Sequence, residues 1–158
     1  MMMDANNKPL KKIIPAVIVG LLVYVVIVFL FHPYIICGPS MEPSFVDGDL
    51  IFTDRAEDIQ VGDVIVAKTN VVHTIIKRVI ALPGDTVDII GGKIYVNGEA
   101  LDIESIDNPG ELKYPYIVPA DCYFLLGDNV NSSMDSRTIG AVGAEFIKYK
   151  YRTTIIHG

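Results

Sequence analysis

The chain has 158 residues, with 13 basic and 19 acidic side chains and a formal net charge of −6. This acidic balance argues against a nucleic-acid-binding protein, because such proteins neutralise phosphates with clustered Lys and Arg. The two cysteines, Cys37 and Cys122, lack C-x-x-C spacing and a neighbouring histidine cluster, so neither a metal site nor a disulfide framework is indicated, and no cofactor is expected.

The charge is distributed unevenly along the chain. Residues 1–12 carry three lysines and one aspartate, whereas residues 13–158 carry 10 basic and 18 acidic side chains. Positive charge immediately before an apolar segment is typical of the cytoplasmic side of a membrane span. We therefore expect residues 1–12 to form a cytoplasmic tail.

Residues 13–31 contain no charged side chain, and fifteen of them are Ile, Leu, Val or Phe. At 1.5 Å per residue, a helix over this segment is about 28 Å long, which matches the hydrocarbon thickness of a bilayer. The pattern predicts a transmembrane helix, with residues 32–158 forming one extracytoplasmic domain. A cleavable signal peptide is the competing interpretation. The following segment has no small-x-small site, however, and Ile36 stands where lipoprotein-type cleavage needs a small residue.

Beyond the apolar segment, short β-branched runs alternate with Gly, Pro, Asp and Asn, which predicts a mainly β domain. Gly91-Gly92 indicates a two-residue hairpin turn, and Asn97-Gly98 indicates a second tight turn. Residues 101–120 contain three prolines and predict a surface loop. The predicted strands cover residues 50–52, 64–67, 71–82, 86–90, 93–96, 122–126 and 146–156.

The last predicted strand, residues 146–156, alternates basic residues with apolar or aromatic ones. That alternation predicts one basic face and one apolar face. A solvated face and a face that contacts anionic lipid head groups both fit this pattern.

Ser40 lies a few residues after the apolar segment, in a turn-prone stretch between Pro39 and Pro43. The prolines restrict the backbone on both sides of the serine. A stiff loop of this kind suits a nucleophilic hydroxyl, although a turn serine without catalytic function is the plainer interpretation.

A nucleophilic serine needs a base. Of the three histidines, only His73 lies within a predicted strand, residues 71–82, where it shares a face with Lys77. That face is otherwise mostly apolar, and burial lowers the pKa of a lysine enough for its neutral amine to act as a general base. The alternative for Lys77 is an edge-strand lysine that discourages aggregation.

The segment from Gly127 to Arg137 is dense in hydrogen-bonding groups. Asp135 and Arg137 are expected to form a charge pair that fixes the loop, and the Ser133 hydroxyl is expected to accept from the lysine amine and hold it toward Ser40.

Three segments in this order resemble the bacterial-type signal peptidase I family, the membrane-anchored Ser/Lys proteases. They are G-P-S-M-E-P around Ser40, K-R-V-I-A-L-P-G-D from Lys77 to Asp85, and G-D-N-x-x-x-S-x-D-S-R-x-x-G from Gly127 to Gly140. The resemblance covers nearly the whole chain, including the apolar segment just before the serine.

The resemblance implies a β-rich, barrel-like catalytic domain that cleaves exported preproteins after a small-x-small motif. It implies partners as well: the preproteins, the lipid bilayer and the secretion translocase. The resemblance implies that Ser40 is the nucleophile and Lys77 the general base. It implies that Ser133 orients the base and that Asp135 and Arg137 give structural support. Arg78 follows the lysine, as in the family pattern.

Two positions depart from the family pattern. Val130 stands where many relatives have an arginine after G-D-N. Gly38 stands where some relatives have a serine whose hydroxyl completes the oxyanion hole, and loss of one such donor costs roughly 3 kcal/mol unless another group replaces it.

The substrate is expected to bind in an extended conformation against a strand edge, with its small side chains in shallow apolar pockets. The hypothesised lining residues are Ile36, Met41, Phe45 and Ile76, and ordinary core packing is the alternative for each.

Other functions also fit parts of the pattern. One is a related Ser/Lys protease, such as a maturation peptidase for conjugation or a self-cleaving regulator. Another is a peptidase that uses His73 in place of Lys77. A third, from a different class, is an inactive membrane-tethered β module that binds export machinery.

Overall fold

The computed structural model describes residues 8–69 and 74–156. It contains one long N-terminal helix followed by a mainly β domain, which confirms the predicted fold class. The helices are α1 (Lys8–Phe31) and α2 (Ser136–Ile139), and short 3-10 turns cover Pro39–Met41 and Ala144–Phe146. The strands are β1 (Pro33–Ile35), β2 (Leu50–Arg55), β3 (Val64–Ala67), β4 (Ile75–Ala81), β5 (Thr86–Ile90), β6 (Lys93–Val96), β7 (Glu99–Ala100), β8 (Tyr116–Ile117), β9 (Cys122–Leu126), β10 (Val142–Gly143) and β11 (Ile147–Ile156).

Within α1, the apolar stretch Ile13–Phe31 is long enough to cross a membrane, and none of it is buried against the domain. Its C-terminal end meets the β domain, where the ring centroids of Phe31 and Phe52 lie 5.5 Å apart. The guanidinium of Arg152 lies 5.6 Å above the Phe31 ring. The helix therefore projects away from the domain and contacts it at the last turn.

The larger sheet has seven strands in the order β1-β2-β11-β3-β4-β9-β10, and its neighbouring strands pair antiparallel. β4 lies inside this sheet, with Lys77 opposite Ile65 of β3 and Arg78 opposite Leu126 of β9. Lys77 is thus not an edge-strand lysine. Of the predicted strand 71–82, the structure shows strand from Ile75 to Ala81, and residues 71–73 lie outside the described part of the chain.

The smaller sheet has four strands in the order β7-β6-β5-β8. Gly91 and Gly92 connect β5 to β6 with φ angles of 57° and 80°, a left-handed geometry that glycine adopts without steric cost. Asn97-Gly98 forms the second tight turn, between β6 and β7. Both predicted turns are confirmed.

The prediction of a surface loop over residues 101–120 is wrong in part. This segment contains β8, which pairs with β5, and it buries Ile106 and Val118 in the core. The prolines interrupt regular structure, but apolar side chains of this segment are buried in the core. Both residues pack in the same core cluster as Phe124 of the larger sheet.

Two of the three basic side chains of β11, those of Lys150 and Arg152, form ion pairs. Lys150 Nζ lies 3.1 Å from Asp63 Oδ2, and Arg152 Nη1 lies 3.3 Å from Asp54 Oδ1. Irregularities of register after Tyr151 also interrupt the strict alternation that the sequence predicts. These pairings fit a solvated strand face.

Candidate active site

Ser40 lies in the 3-10 turn Pro39–Met41, which follows Gly38. Gly38 has a φ of 85°, a conformation that disfavours any other residue, and its amide donates to Asp47 Oδ1 at 2.7 Å. The Ser40 carbonyl accepts from the Asn129 amide at 3.2 Å. The loop is therefore held to the domain on both sides of the serine hydroxyl.

Lys77 projects from the interior strand β4 toward this loop. The residue is only 5% exposed, and its Nζ lies 2.7 Å from Ser40 Oγ. The amine also donates to the Ile76 carbonyl at 2.9 Å. The expected pair of a serine hydroxyl and a buried amine is thus brought into direct contact.

Burial lowers the pKa of the Lys77 amine from its ordinary value of 10.5, because a low-dielectric surrounding disfavours the charged form. The carboxylates of Asp135 and Asp128 act in the opposite direction on this pKa, but burial is the larger effect. A larger fraction of the amine is consequently neutral near physiological pH than for a lysine in water, and only the neutral amine can accept a proton.

Ser133 lies beside this pair without a hydrogen bond to it. Its Oγ is buried and has no hydrogen-bond partner among the described residues. A Cβ placed on Gly127 would come within 2.3 Å of Ser133 Oγ and 2.4 Å of the Ser40 carbonyl oxygen, so only glycine fits between the two serines. The structure brings Ser133 near Ser40, but the predicted hydrogen bond to the lysine is not formed.

Asp135 and Arg137 form a buried ion pair. Arg137 Nε lies 2.8 Å from Asp135 Oδ1 and Nη2 lies 2.9 Å from Oδ2, with the two side chains 5% and 0% exposed. Asp135 also caps α2 and accepts from the Gly127 amide at 3.2 Å. The expected charge pair is thus formed, and it links the loop around Ser133 to the backbone beside Ser40.

Arg78 makes a two-pronged contact with Asp128. Its Nε and Nη2 lie 2.7 and 2.6 Å from the two carboxylate oxygens, and Nη1 donates to the Gly62 carbonyl at 2.8 Å. Side-chain hydrogen bonding to Asp128 raises the pKa of Arg78, so the guanidinium stays charged. Arg78 thereby ties β4 to the loop that follows β9.

An open cavity of about 470 Å³, hereafter the first cavity, adjoins Ser40 and Lys77. Three of the four hypothesised pocket residues, Ile36, Met41 and Ile76, line it. Phe45 does not line it. Phe45 is buried behind it, with its ring 4.9 Å from that of Tyr151.

Val130 and Gly38, the two positions that depart from the family pattern, both fit their surroundings in the structure. Val130 is 3% exposed and packs in the apolar core between the sheets, while its carbonyl accepts from Arg137. Gly38 brings no side chain, and the positive φ of this residue explains why glycine suits the position.

The histidines have no described contact with this site. His73 and His157 lie outside the described residues. His32 follows α1, where its ring stacks 4.3 Å from that of Tyr149. Cys37 and Cys122 are free thiols.

Sequence reasoning missed Asp47 and Asn129 as anchors of the serine loop. Asn129 belongs to the recognised G-D-N segment, but its contact uses the backbone amide and so leaves no side-chain signal. Asp47 lies in a turn rich in Gly and Asp, where an aspartate is unremarkable.

Comparison with known proteins identifies the class of enzyme. The family model described as signal peptidase, peptidase S26, matches residues 10–155. Signal peptidase I P of Bacillus subtilis subsp. natto is 35% identical over 86% of this chain and 84% of its own length. Signal peptidase I of Bacillus amyloliquefaciens is 36% identical over 80% of this chain and 75% of its own. The chain is accordingly a serine peptidase, and hence a hydrolase.

A crystal structure of a signal peptidase I from Enterococcus faecalis V583 is 28% identical, with a TM-score of 0.50 over 61% of this chain and 98% of that chain. The chain belongs to the signal peptidase I family, which confirms the resemblance inferred from its motifs. This family is membrane-anchored, and the chain has one N-terminal apolar helix that could serve as the anchor.

The buried ion pair predicts a large effect on stability. Replacing Asp135 by Asn leaves the Arg137 charge buried without its partner, so the free energy of unfolding should fall by about 3–5 kcal/mol. The matched control is Asp54→Asn, which breaks the exposed pair with Arg152 and should cost less than about 1 kcal/mol. Urea denaturation measures both, and equal losses for the two variants would contradict the assignment.

The buried Lys77 amine predicts that its removal stabilises the protein, whereas removal of Asp135 destabilises it. Well below pH 10.5 the unfolded chain carries Lys77 charged, whereas burial in the folded chain disfavours the charge. Folding therefore bears a cost that shrinks as the pH rises from the lowered folded pKa toward 10.5. Lys77→Met should raise the melting temperature at pH 7 by about 2 °C or more, and the gain should shrink toward pH 10. The exposed control Lys93→Met should show no such pH-dependent gain. A loss of stability in Lys77→Met at pH 7 would refute this reasoning.

Proposed function

We propose that this chain is a membrane-bound serine endopeptidase that removes N-terminal signal peptides from exported preproteins, with Ser40 as nucleophile and Lys77 as general base. The observation that carries the proposal is the 2.7 Å approach of Lys77 Nζ to Ser40 Oγ, made by an amine that is only 5% exposed. Membership of the signal peptidase I family supports the reaction class.

The reaction follows from this pair. The neutral Lys77 amine takes the proton from Ser40 as Oγ attacks the scissile carbonyl carbon, and the resulting ammonium protonates the leaving nitrogen as the C–N bond breaks. A water molecule then attacks the acyl-enzyme and gives its proton to the same amine. As the ester C–O bond breaks, the ammonium returns this proton to Ser40 Oγ, which releases the peptide carboxylate and restores the serine hydroxyl and the neutral amine.

Orientation of the base is the proposed role of Ser133, a positioning residue. Its hydroxyl is buried beside Ser40 and has no partner in the described part of the chain, so it is available to the lysine amine without breaking another hydrogen bond. The Asp135–Arg137 pair supports the same loop. For the oxyanion, the proposed donor is the Ser40 amide, because Gly38 has no hydroxyl to contribute.

Specificity for a small-x-small motif is proposed to reside in the first cavity. In an extended peptide, alternate side chains point to the same side, so the first and third residues before the scissile bond face the protein together. Ile36, Met41 and Ile76 are the proposed lining, and Phe45 supports it from the core. Bulky aliphatic walls of this kind suit small substrate side chains.

The proposed placement in the cell puts residues 1–12 in the cytoplasm, residues 13–31 across the cell membrane and residues 32–158 on the extracytoplasmic face. The basic tail before the span supports this orientation. The site would then meet preproteins as they leave the secretion translocase. The short connection between α1 and Ser40 supports cleavage close to the membrane surface.

Cleavage of a preprotein with an A-x-A site by the detergent-solubilised protein tests the proposal. Ser40→Ala and Lys77→Ala should each lower kcat/KM by 10³-fold or more, because each removes a reacting group. For the wild type, kcat/KM should rise with pH through the lowered pKa of Lys77, which places the acid limb below the 10.5 of an exposed lysine.

His73→Ala is the control, since a histidine-based peptidase would lose activity in this variant and keep it in Lys77→Ala. Absence of any Ser40-dependent product would favour the inactive binding module instead. Cleavage restricted to a site without small residues would favour a related maturation peptidase.

The orientation is tested by protease protection in spheroplasts. An epitope placed before residue 1 should stay protected from added protease, whereas the β domain should be digested, because only the domain is expected outside. Detergent lysis should expose both. Protection of the domain and loss of the epitope in intact spheroplasts would reverse the proposed orientation.

A further inference from the structure

A second and larger cavity, of about 650 Å³, lies beside the serine loop and is not part of the proposed small-x-small pocket. Its walls come from residues 42–44 just after the serine turn, from β4, from residues 102–104 and from residues 126–130. This second cavity opens to solvent, so a peptide can enter it without a change in the fold.

The two cavities lie in succession along β4. Ile75, Ile76 and Lys77 line the first cavity, whereas Arg78 and Ile80, farther along the strand, line the second. Each step of two residues along a strand is about 7 Å, which is also the two-residue step of an extended peptide.

The serine turn lies between the two cavities. Ser40 lines the first cavity, and Glu42, two residues later, lines the second. Asn129, also in the wall of the second cavity, donates its amide to the Ser40 carbonyl. A peptide whose scissile bond lies at Ser40 Oγ therefore has both cavities within reach.

The second cavity is acidic. Glu42, Asp102 and Glu104 line it, and none of these three carboxylates makes an ion pair within residues 8–69 and 74–156. A fourth carboxylate, that of Asp128, is neutralised by Arg78. The walls thus present three uncompensated negative charges to whatever enters.

We propose that the second cavity receives the first residues of the mature protein, C-terminal to the scissile bond, and that its carboxylates favour basic residues there and disfavour acidic ones. The inference rests on the proposed function, since it uses Ser40 to define the point of cleavage. The sign of the preference follows from Coulomb interaction between the substrate side chains and Glu42, Asp102 and Glu104.

Three peptides test this preference. They share one signal-side sequence with an A-x-A site and differ only at the second and third residues after the scissile bond, which are Lys-Lys, Ser-Ser or Glu-Glu. The measurement is kcat/KM at 50 mM and 500 mM salt for the wild type and for the variant Glu42→Gln/Asp102→Asn/Glu104→Gln. Glu57→Gln is the control, because it removes an exposed carboxylate that does not line the cavity.

For the wild type at low salt, kcat/KM should be about five- to tenfold higher for Lys-Lys than for Glu-Glu, with Ser-Ser between them. The ratio should fall toward one at 500 mM salt, where charges are screened within a few Å. It should also fall toward one in the triple variant and remain at the wild-type value in Glu57→Gln.

Equal rates for the three peptides with the wild type would overturn the inference and leave the proposed function intact. A preference for Lys-Lys that persists in the triple variant would equally overturn it, because the charges responsible would then lie elsewhere. If no peptide gives a Ser40-dependent product, the proposed function fails, and this inference fails with it.

Discussion

The contact between the Ser40 hydroxyl and the buried Lys77 amine is the interaction on which the rest of the site depends. It joins two segments 37 residues apart, and it is made by a lysine that is only 5% exposed to water. The serine must also stay within reach of the amine. Hydrogen bonds from Gly38 to Asp47 and from Asn129 to the Ser40 carbonyl hold it there.

Burial of Lys77 lowers the stability of the fold and at the same time makes its amine a better base, because both follow from the lost solvation of the ammonium. Water solvates an ammonium better than the interior of a protein does, so burial disfavours the charged form and makes the neutral base available. The surrounding loops compensate with well-paired charges. Asp135 and Arg137 are bonded through both carboxylate oxygens, and Asp128 is bonded in the same way by Arg78. These pairs connect the loops around the amine to β4 and α2.

Under the proposed function, the two cavities give the site a direction. One is lined by aliphatic side chains beside the serine and the amine, and the other is lined by carboxylates beyond the serine turn. A symmetric groove would bind a peptide in either sense, whereas an apolar side and an acidic side distinguish the two halves of a substrate. The apolar helix α1 ends next to the β domain, so the Ser40 loop follows this helix closely along the chain.

The sequence by itself determined the features that depend on local physics. The apolar length of residues 13–31 predicts the anchor, Gly91-Gly92 predicts the hairpin through its backbone freedom, and three ordered motifs identify the family. Strand order, by contrast, comes from long-range pairing that no local pattern encodes. Only the tertiary structure therefore decided that Lys77 is interior rather than at an edge, that residues 101–120 cover a core, and that an acidic cavity adjoins the serine turn.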